Sequence, residues 1–236
     1  MSTTPAAFVD SLATLRLPSV FNPYSERCRK HDRAGAAQVR RRNLVLYLEA
    51  AMFARVDTIW IARDLGYRGG RRTGIPLTDE VHLGSVAELY GGLALQRATH
   101  GPVVAERTAA IVWSVLAQIG QPVVLWNVFP LHPHELNDPL SNRCHTRAER
   151  EVAWPVLRAL LGLIRPRRLI AIGRDARIAL AGIDVAVESV RHPSYGGQAD
   201  FIAGVRRAYG IGGALGLGPS AQVSSDEGEA VDDCAA

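Results

Sequence analysis

The sequence predicts an α/β domain, doubly wound around a central short parallel β-sheet of about four strands flanked by helices. Three observations carry this. Four short runs, 58–62, 122–127, 168–173 and 185–190, are apolar on both parities, as strands covered on both faces are. Segments with helical spacing stand between them, and alternation of strand and helix builds βαβ units. With 236 residues, 47% of them hydrophobic, the chain can bury a substantial core in one domain.

Taken in order, residues 1–35 are punctuated by Pro5, Pro18 and Pro23 and are expected to form an irregular, extended arm that packs on the domain, with a turn at Asn22-Pro23-Tyr24. Over 38–55, Leu44, Leu46, Leu48, Ala51 and Phe53 suit a helix that leads into the first strand. Ile59-Trp60-Ile61-Ala62 then runs straight into Arg63-Asp64. A helix is expected at 103–119, and the second strand runs from Val123 into Asn127. Helices at 147–163 and 175–181 bracket the third strand. The fourth strand runs into His192-Pro193-Ser194-Tyr195-Gly196-Gly197. A last helix over 198–209 carries Phe201, Val205 and Tyr209, which are assigned to the core. From Gly212 onward Gly, Ala, Ser and acids dominate without aromatics, and 212–236 is expected to be a disordered acidic tail. The expected organisation is therefore an arm (1–35), one α/β body (36–211) and a tail (212–236), with no internal repeat.

Charge adds a second constraint. Lys30 is the only lysine among 27 basic residues, and the net charge is +4. The last sixteen residues hold five acids and no base, so the rest of the chain sets 27 basic against 18 acidic residues, or +9. A bias toward arginine explains the missing lysines but not the excess charge; a polyanionic partner such as nucleic acid explains the excess. Cys28, Cys144 and Cys234 are too few and too scattered for a disulfide framework or an iron–sulfur cluster, and no Cys-x-x-Cys or His-x-x-x-His pair suggests zinc. No metal or cofactor is expected. No signal-peptide pattern or membrane-spanning run is present, so the expectation is a cytoplasmic, nucleoid-associated protein without a membrane partner.

In open α/β sheets, ligands bind outside the carboxyl ends of the strands. Asp64, Asn127 and His192 each follow such an end and are expected to converge on one pocket. The run Ile59 to Glu80, which includes Arg63-Asp64-Leu65-Gly66-Tyr67-Arg68-Gly69-Gly70-Arg71-Arg72-Thr73-Gly74-Ile75-Pro76-Leu77, resembles the first motif of the uracil-DNA glycosylase superfamily. Trp126-Asn127-Val128-Phe129-Pro130, with Asn142-Arg143 further on, is similar to its base-reading strand end. His192-Pro193-Ser194 is similar to its His-Pro-Ser loop, and the three motifs stand in the family's order over about 56–209. The sequence departs from much of the superfamily at Ala62, Leu65 and Leu77 and lacks the cluster-binding cysteines, and so resembles a divergent, cluster-free member.

The resemblance implies a monomeric enzyme that hydrolyses the N-glycosidic bond of deoxyuridine in DNA, in base-excision repair. The other reading on the same fold is a non-catalytic uracil- or abasic-DNA-binding protein. A base must leave the stack to be cut, and its Watson–Crick edge is then read in a pocket. The Asn127 amide has the donor and acceptor that uracil O4 and N3–H require; an Asn that caps the strand end is the plainer reading. By the resemblance, His192 as a neutral imidazole donates to O2 of the departing uracil anion. Asp64 orients the attacking water or stabilises the cationic sugar, or else pairs with Arg63 or Arg68. Arg63 is open to three roles: a phosphate contact, a contact to uracil O2, or an anchor for Asp64. Gly66, Tyr67, Leu77 and Phe129 complete the expected substrate pocket, with stacking falling to Phe129 or to an apolar contact. Arg68, Arg71, Arg72, Arg191, Ser194 and Tyr195 are the expected DNA contacts, with Tyr195 as a wedge or as packing. His132, His134 and His145 are placed as loop-packing or phosphate-proximal residues.

Overall fold

The computed structural model describes residues 4–211. The expected tail at 212–236 lies outside them. Four strands, β2 (Thr58–Asp64), β3 (Val124–Phe129), β5 (Arg168–Ile172) and β6 (Ala186–Val190), form one parallel sheet in the order β3-β2-β5-β6. The helices are α1 (Pro5–Thr14), α2 (Ala36–Phe53), α3 (Gly70–Thr73), α4 (Leu83–Leu89), α5 (Arg107–Ile119), α6 (Arg147–Ile164), α7 (Arg174–Ala179) and α8 (Gln198–Ala208). The chain passes from β2 to β3 on one side, then crosses through α6 to β5 on the other. That reversal puts the crevice of a doubly wound sheet at the carboxyl ends of β2 and β5.

Ile59, Trp60, Ile61, Val124, Leu125, Trp126, Leu169, Ile170 and Ala171 are all buried, so β2, β3 and β5 are covered on both faces as their unbroken apolar runs require. The edge strand β6 is not: Ala186, Glu188 and Ser189 are exposed, and only Val190 is buried. Helices α1, α2 and α6 pack on one another, and α5 packs on α8.

The N-terminal region corrects the expectation of an irregular arm. Pro5 stands at the first turn of α1, where its missing N–H leaves no bond unmade, and the Thr4 hydroxyl accepts from Ala7 N–H at 3.2 Å. Phe8, Val9 and Leu12 of α1 belong to the central core, and the Phe8 ring lies 5.6 Å from that of Trp126. The chain then pairs β1 (Val20–Phe21) antiparallel with β4 (His132–Pro133). Residues 4–35 are thus stitched into the body. Phe53, one of the apolar residues whose spacing suits this helix, ends α2 and is 91% exposed. Among the described residues, no helix is long and apolar enough to cross a membrane.

Candidate active site at the sheet's carboxyl edge

The parallel register brings the ends of β2 and β3 together, with Ala62 beside Asn127 and Asp64 beside Phe129. The Asn127 amide donates to the main-chain carbonyl of Asp64 at 2.6 Å, and its Oδ1 is buried without a hydrogen-bond partner among the described residues. Asp64 is engaged at both carboxylate oxygens: Oδ2 accepts from Arg63 Nε at 2.6 Å and Oδ1 from His145 Nδ1. Arg63 also reaches Asp175 Oδ2 at 3.3 Å. Burial works against the Arg63 charge, but the carboxylates of Asp64 and Asp175 outweigh it and hold its pKa above the ordinary value. Of the three roles open to Arg63, the geometry matches the anchor.

His192 stands at the end of β6. The main-chain N–H of Ser194 lies 3.2 Å from its Nδ1 and can only donate, so Nδ1 is the acceptor and the ring proton sits on Nε2. The Ser194 hydroxyl adds a 2.7 Å bond to the same nitrogen. Burial first, then the nearby Arg63 charge, hold the His192 pKa down at about 4. At neutral pH it is therefore a neutral imidazole with a fixed Nε2–H. Gly173, at φ +89, lets the end of β5 pass close by: a Cβ there would lie 3.2 Å from that of His192.

A cavity of about 450 Å³ opens beside His192, with Gly173, Arg174, Arg177, Arg191, Ser194 and Tyr195 in its walls. Of the expected site residues it gathers His192, Arg191, Ser194 and Tyr195. Asp64, Asn127 and Phe129 lie outside its lining, and Arg63 stands between the two groups, paired with Asp64 and close enough to His192 to lower its pKa. Tyr195 is 76% exposed at φ 50, a conformation that costs a non-glycine residue about 1 kcal/mol or more.

Several expected contacts are corrected by burial. Arg71 and Arg72 point inward from the one-turn helix α3 instead of facing DNA. Arg71 lies over the Phe21 ring at 4.1 Å and bonds Pro139 O and His132 Nδ1, the latter at 3.1 Å. Arg72 pairs with Glu80 at 3.2 Å and donates to Thr99. A buried guanidinium persists only with such partners. Leu77 sits in the core at φ 54, and Phe129 is fully covered, packed on the His145 ring at 5.6 Å. Neither presents an open face to a base. Ser194 directs its hydroxyl to His192, and Arg191 pairs loosely with Asp200 at 3.6 Å. Tyr67 is half-buried, its N–H on Asn142 and its hydroxyl accepting from the exposed Arg68. Gly66 and Gly69 form a cradle filled by the Glu106 carboxyl, which any Cβ there would overlap. Burial, reinforced by the charge of Asp79, pushes the Glu106 pKa up to about 7.

Sequence reasoning passed over Arg174, Arg177 and Glu106, and placed His145 as loop-packing or phosphate-proximal with no link to Asp64. Arg174 and Arg177 follow the third strand, and the strand-end rule that selected Asp64 and Asn127 selects them too. Neither side chain is paired among the described residues. His145 directly precedes Thr146, whose capping box with Glu149 marks the start of α6. Glu106 left no local signal. Among the described residues, no cluster of three or more His, Cys, Asp or Glu side chains is arranged to hold a metal ion.

No protein-family model matches the sequence, and no curated protein matches it. Among solved structures, the wild-type SMUG2 of Pedobacter heparinus superposes with a TM-score of 0.58 at 13% identity, over 88% of this chain and 97% of that one. The wild-type UNG of Nitratifractor salsuginis, also 13% identical, covers 75% of this chain and 85% of its own with a TM-score of 0.35. The protein is an α/β protein with a four-stranded parallel sheet and its polar site at the carboxyl edge. It shares its fold with the SMUG2 structure.

Proposed function

We propose that the protein is a uracil-DNA glycosylase acting in base-excision repair, as a monomer without metal or cofactor. The observation that carries this is His192: a neutral imidazole, its proton held on Nε2 by the Ser194 N–H, beside an arginine-walled cavity at the sheet's carboxyl edge. Breaking the glycosidic bond leaves negative charge on uracil O2, and a fixed donor stabilises that charge as it develops. Asn127 Oδ1, buried and without a partner among the described residues, is an acceptor of the kind uracil N3–H needs. The body's positive charge, with Arg68, Arg174, Arg177 and Arg191, suits the DNA backbone, and the exposed Tyr195 suits the gap that a flipped base leaves.

One observation favours the second reading, a non-catalytic binder of uracil- or abasic-DNA: both Asp64 oxygens are already engaged. Incubation with a uracil-containing oligonucleotide followed by alkali separates the two. Strand cleavage at uracil supports the glycosylase; binding without cleavage selects the binder.

A further inference from the structure

Two histidines flank the ends of the sheet with opposite hydrogen-bonding constraints, and only one of them has a role so far. A carboxylate oxygen can only accept, so at Oδ1 of an ionised Asp64 the His145 Nδ1 carries the proton. In the neutral ring Nε2 is then a bare lone pair, and it makes no hydrogen bond among the described residues. His192 is the mirror case: Nδ1 accepts and Nε2 carries the proton. One imidazole is set to donate and the other to accept, the division of labour that marks an acid–base pair.

His145 is also held rigidly. Its side chain is 6% exposed and packs on Phe129 of β3. On one side in sequence, Arg143 clamps Glu149 through two bonds of 2.8 and 2.6 Å and bonds the carbonyls of His134 and Ser19. On the other, Thr146 caps α6. Asp64 is in turn fixed by Arg63, and its carbonyl by Asn127. The charged groups around the ring are Asp64 and Arg63 from β2 and Arg143 from its own loop, with Asp175 of α7 behind Arg63. This is the arrangement that makes a histidine a base: a carboxylate at Nδ1 sets the tautomer and stabilises the imidazolium that forms.

We propose that His145 is the general base of the reaction and that Asp64 acts through it, which rests on the glycosylase reading above. As the C1′–N1 bond breaks, its electron pair stays on uracil and the charge on O2 meets the Nε2–H of His192. Water bonds to C1′ and gives its proton to His145 Nε2. The imidazolium, paired with Asp64, then passes that proton to solvent or to the departing uracil anion.

The test is single-turnover uracil release across pH, with DNA affinity measured alongside. His145→Asn is the decisive variant, because its amide nitrogen keeps the donor to Asp64 while the base is lost. It should lower the plateau rate about 10²-fold or more, the scale of general-base catalysis, remove the acid limb of the profile and leave DNA affinity within threefold. Asp64→Asn should act in the same direction, with a double variant no slower than the slower single one. His145→Asn at wild-type rate, or with its acid limb intact, would overturn the proposal while the glycosylase reading stands. Nitrogen-15 shifts in the free protein should show His145 protonated at Nδ1 and His192 at Nε2; the reverse at His145 overturns the proposal whatever the activity. A wild-type protein that releases no uracil overturns the glycosylase reading, and the base role with it.

Discussion

Asn127, two residues before the end of β3, donates its side-chain amide to the main-chain carbonyl of Asp64, at the end of β2, at 2.6 Å. Two strand ends that each offer a polar side chain are thereby locked together, and the position of the Asp64 carboxylate depends on an amide belonging to the neighbouring strand.

This bond makes Asn127→Asp a structural as well as a specificity change. The new carboxylate would face a carbonyl oxygen in a fully buried position, where the other oxygen of the side chain has no donor among the described residues. A cost on the order of 3–5 kcal/mol is expected at neutral pH, read as a fall in the denaturation midpoint. Uracil excision should weaken in step. A variant as stable as the parent would mean that the Asp64 carbonyl does not need its donor.

His192→Ala should lower single-turnover uracil release by about one to three powers of ten, the scale of a lost oxyanion donor, with DNA affinity little changed. Ser194→Ala should cost less, because the main-chain N–H that sets the tautomer remains. An unaltered rate in His192→Ala would remove this residue from the chemistry.

Acid should destabilise the fold through two histidines, the buried His132 and the partly buried His192. His192 is held at about 4 by burial and Arg63, and His132 at about 3 by burial and Arg71. Both lie below the ordinary value, so the unfolded chain binds protons that the folded chain refuses. Their contribution is complete above about pH 6.5 and is lost as pH falls toward 4 and then 3, several kcal/mol in all. Urea denaturation at pH 7 and pH 4.5 measures it. In Arg63→Gln, His192 should titrate at a higher pH by NMR, because a neighbouring cation is gone; an unmoved value would contradict the Arg63 contact.

The arginines should separate into two classes. Arg72→Ala leaves Glu80 with less compensation in a buried site and should cost on the order of 3 kcal/mol of stability. Arg174→Ala with Arg177→Ala should leave stability unchanged, weaken DNA binding and reduce the slope of log affinity against log salt by about two. An unchanged salt slope would place DNA elsewhere than at the His192 cavity.

What the sequence determined by itself is what local pattern encodes. Unbroken apolar runs specify strands covered on both faces, and the residues that end them, Asp64, Asn127 and His192, fall at the edge where such sheets bind ligands. Tertiary structure decided what those residues touch. His145 lies 81 positions from Asp64, and nothing near either one records that they meet; the register of β2 on β3 and the capped start of α6 bring them together. Arg71 and Arg72 look like exposed arginines of a glycine-rich turn, because a turn has no period that says which way a side chain faces. They are buried because Glu80, Thr99, His132 and Pro139 supply acceptors from elsewhere in the chain. Pro5 is ambiguous for a related reason: the same ring breaks a helix in its interior and begins one at its first turn. The core that receives Phe8, Val9 and Leu12 decided which.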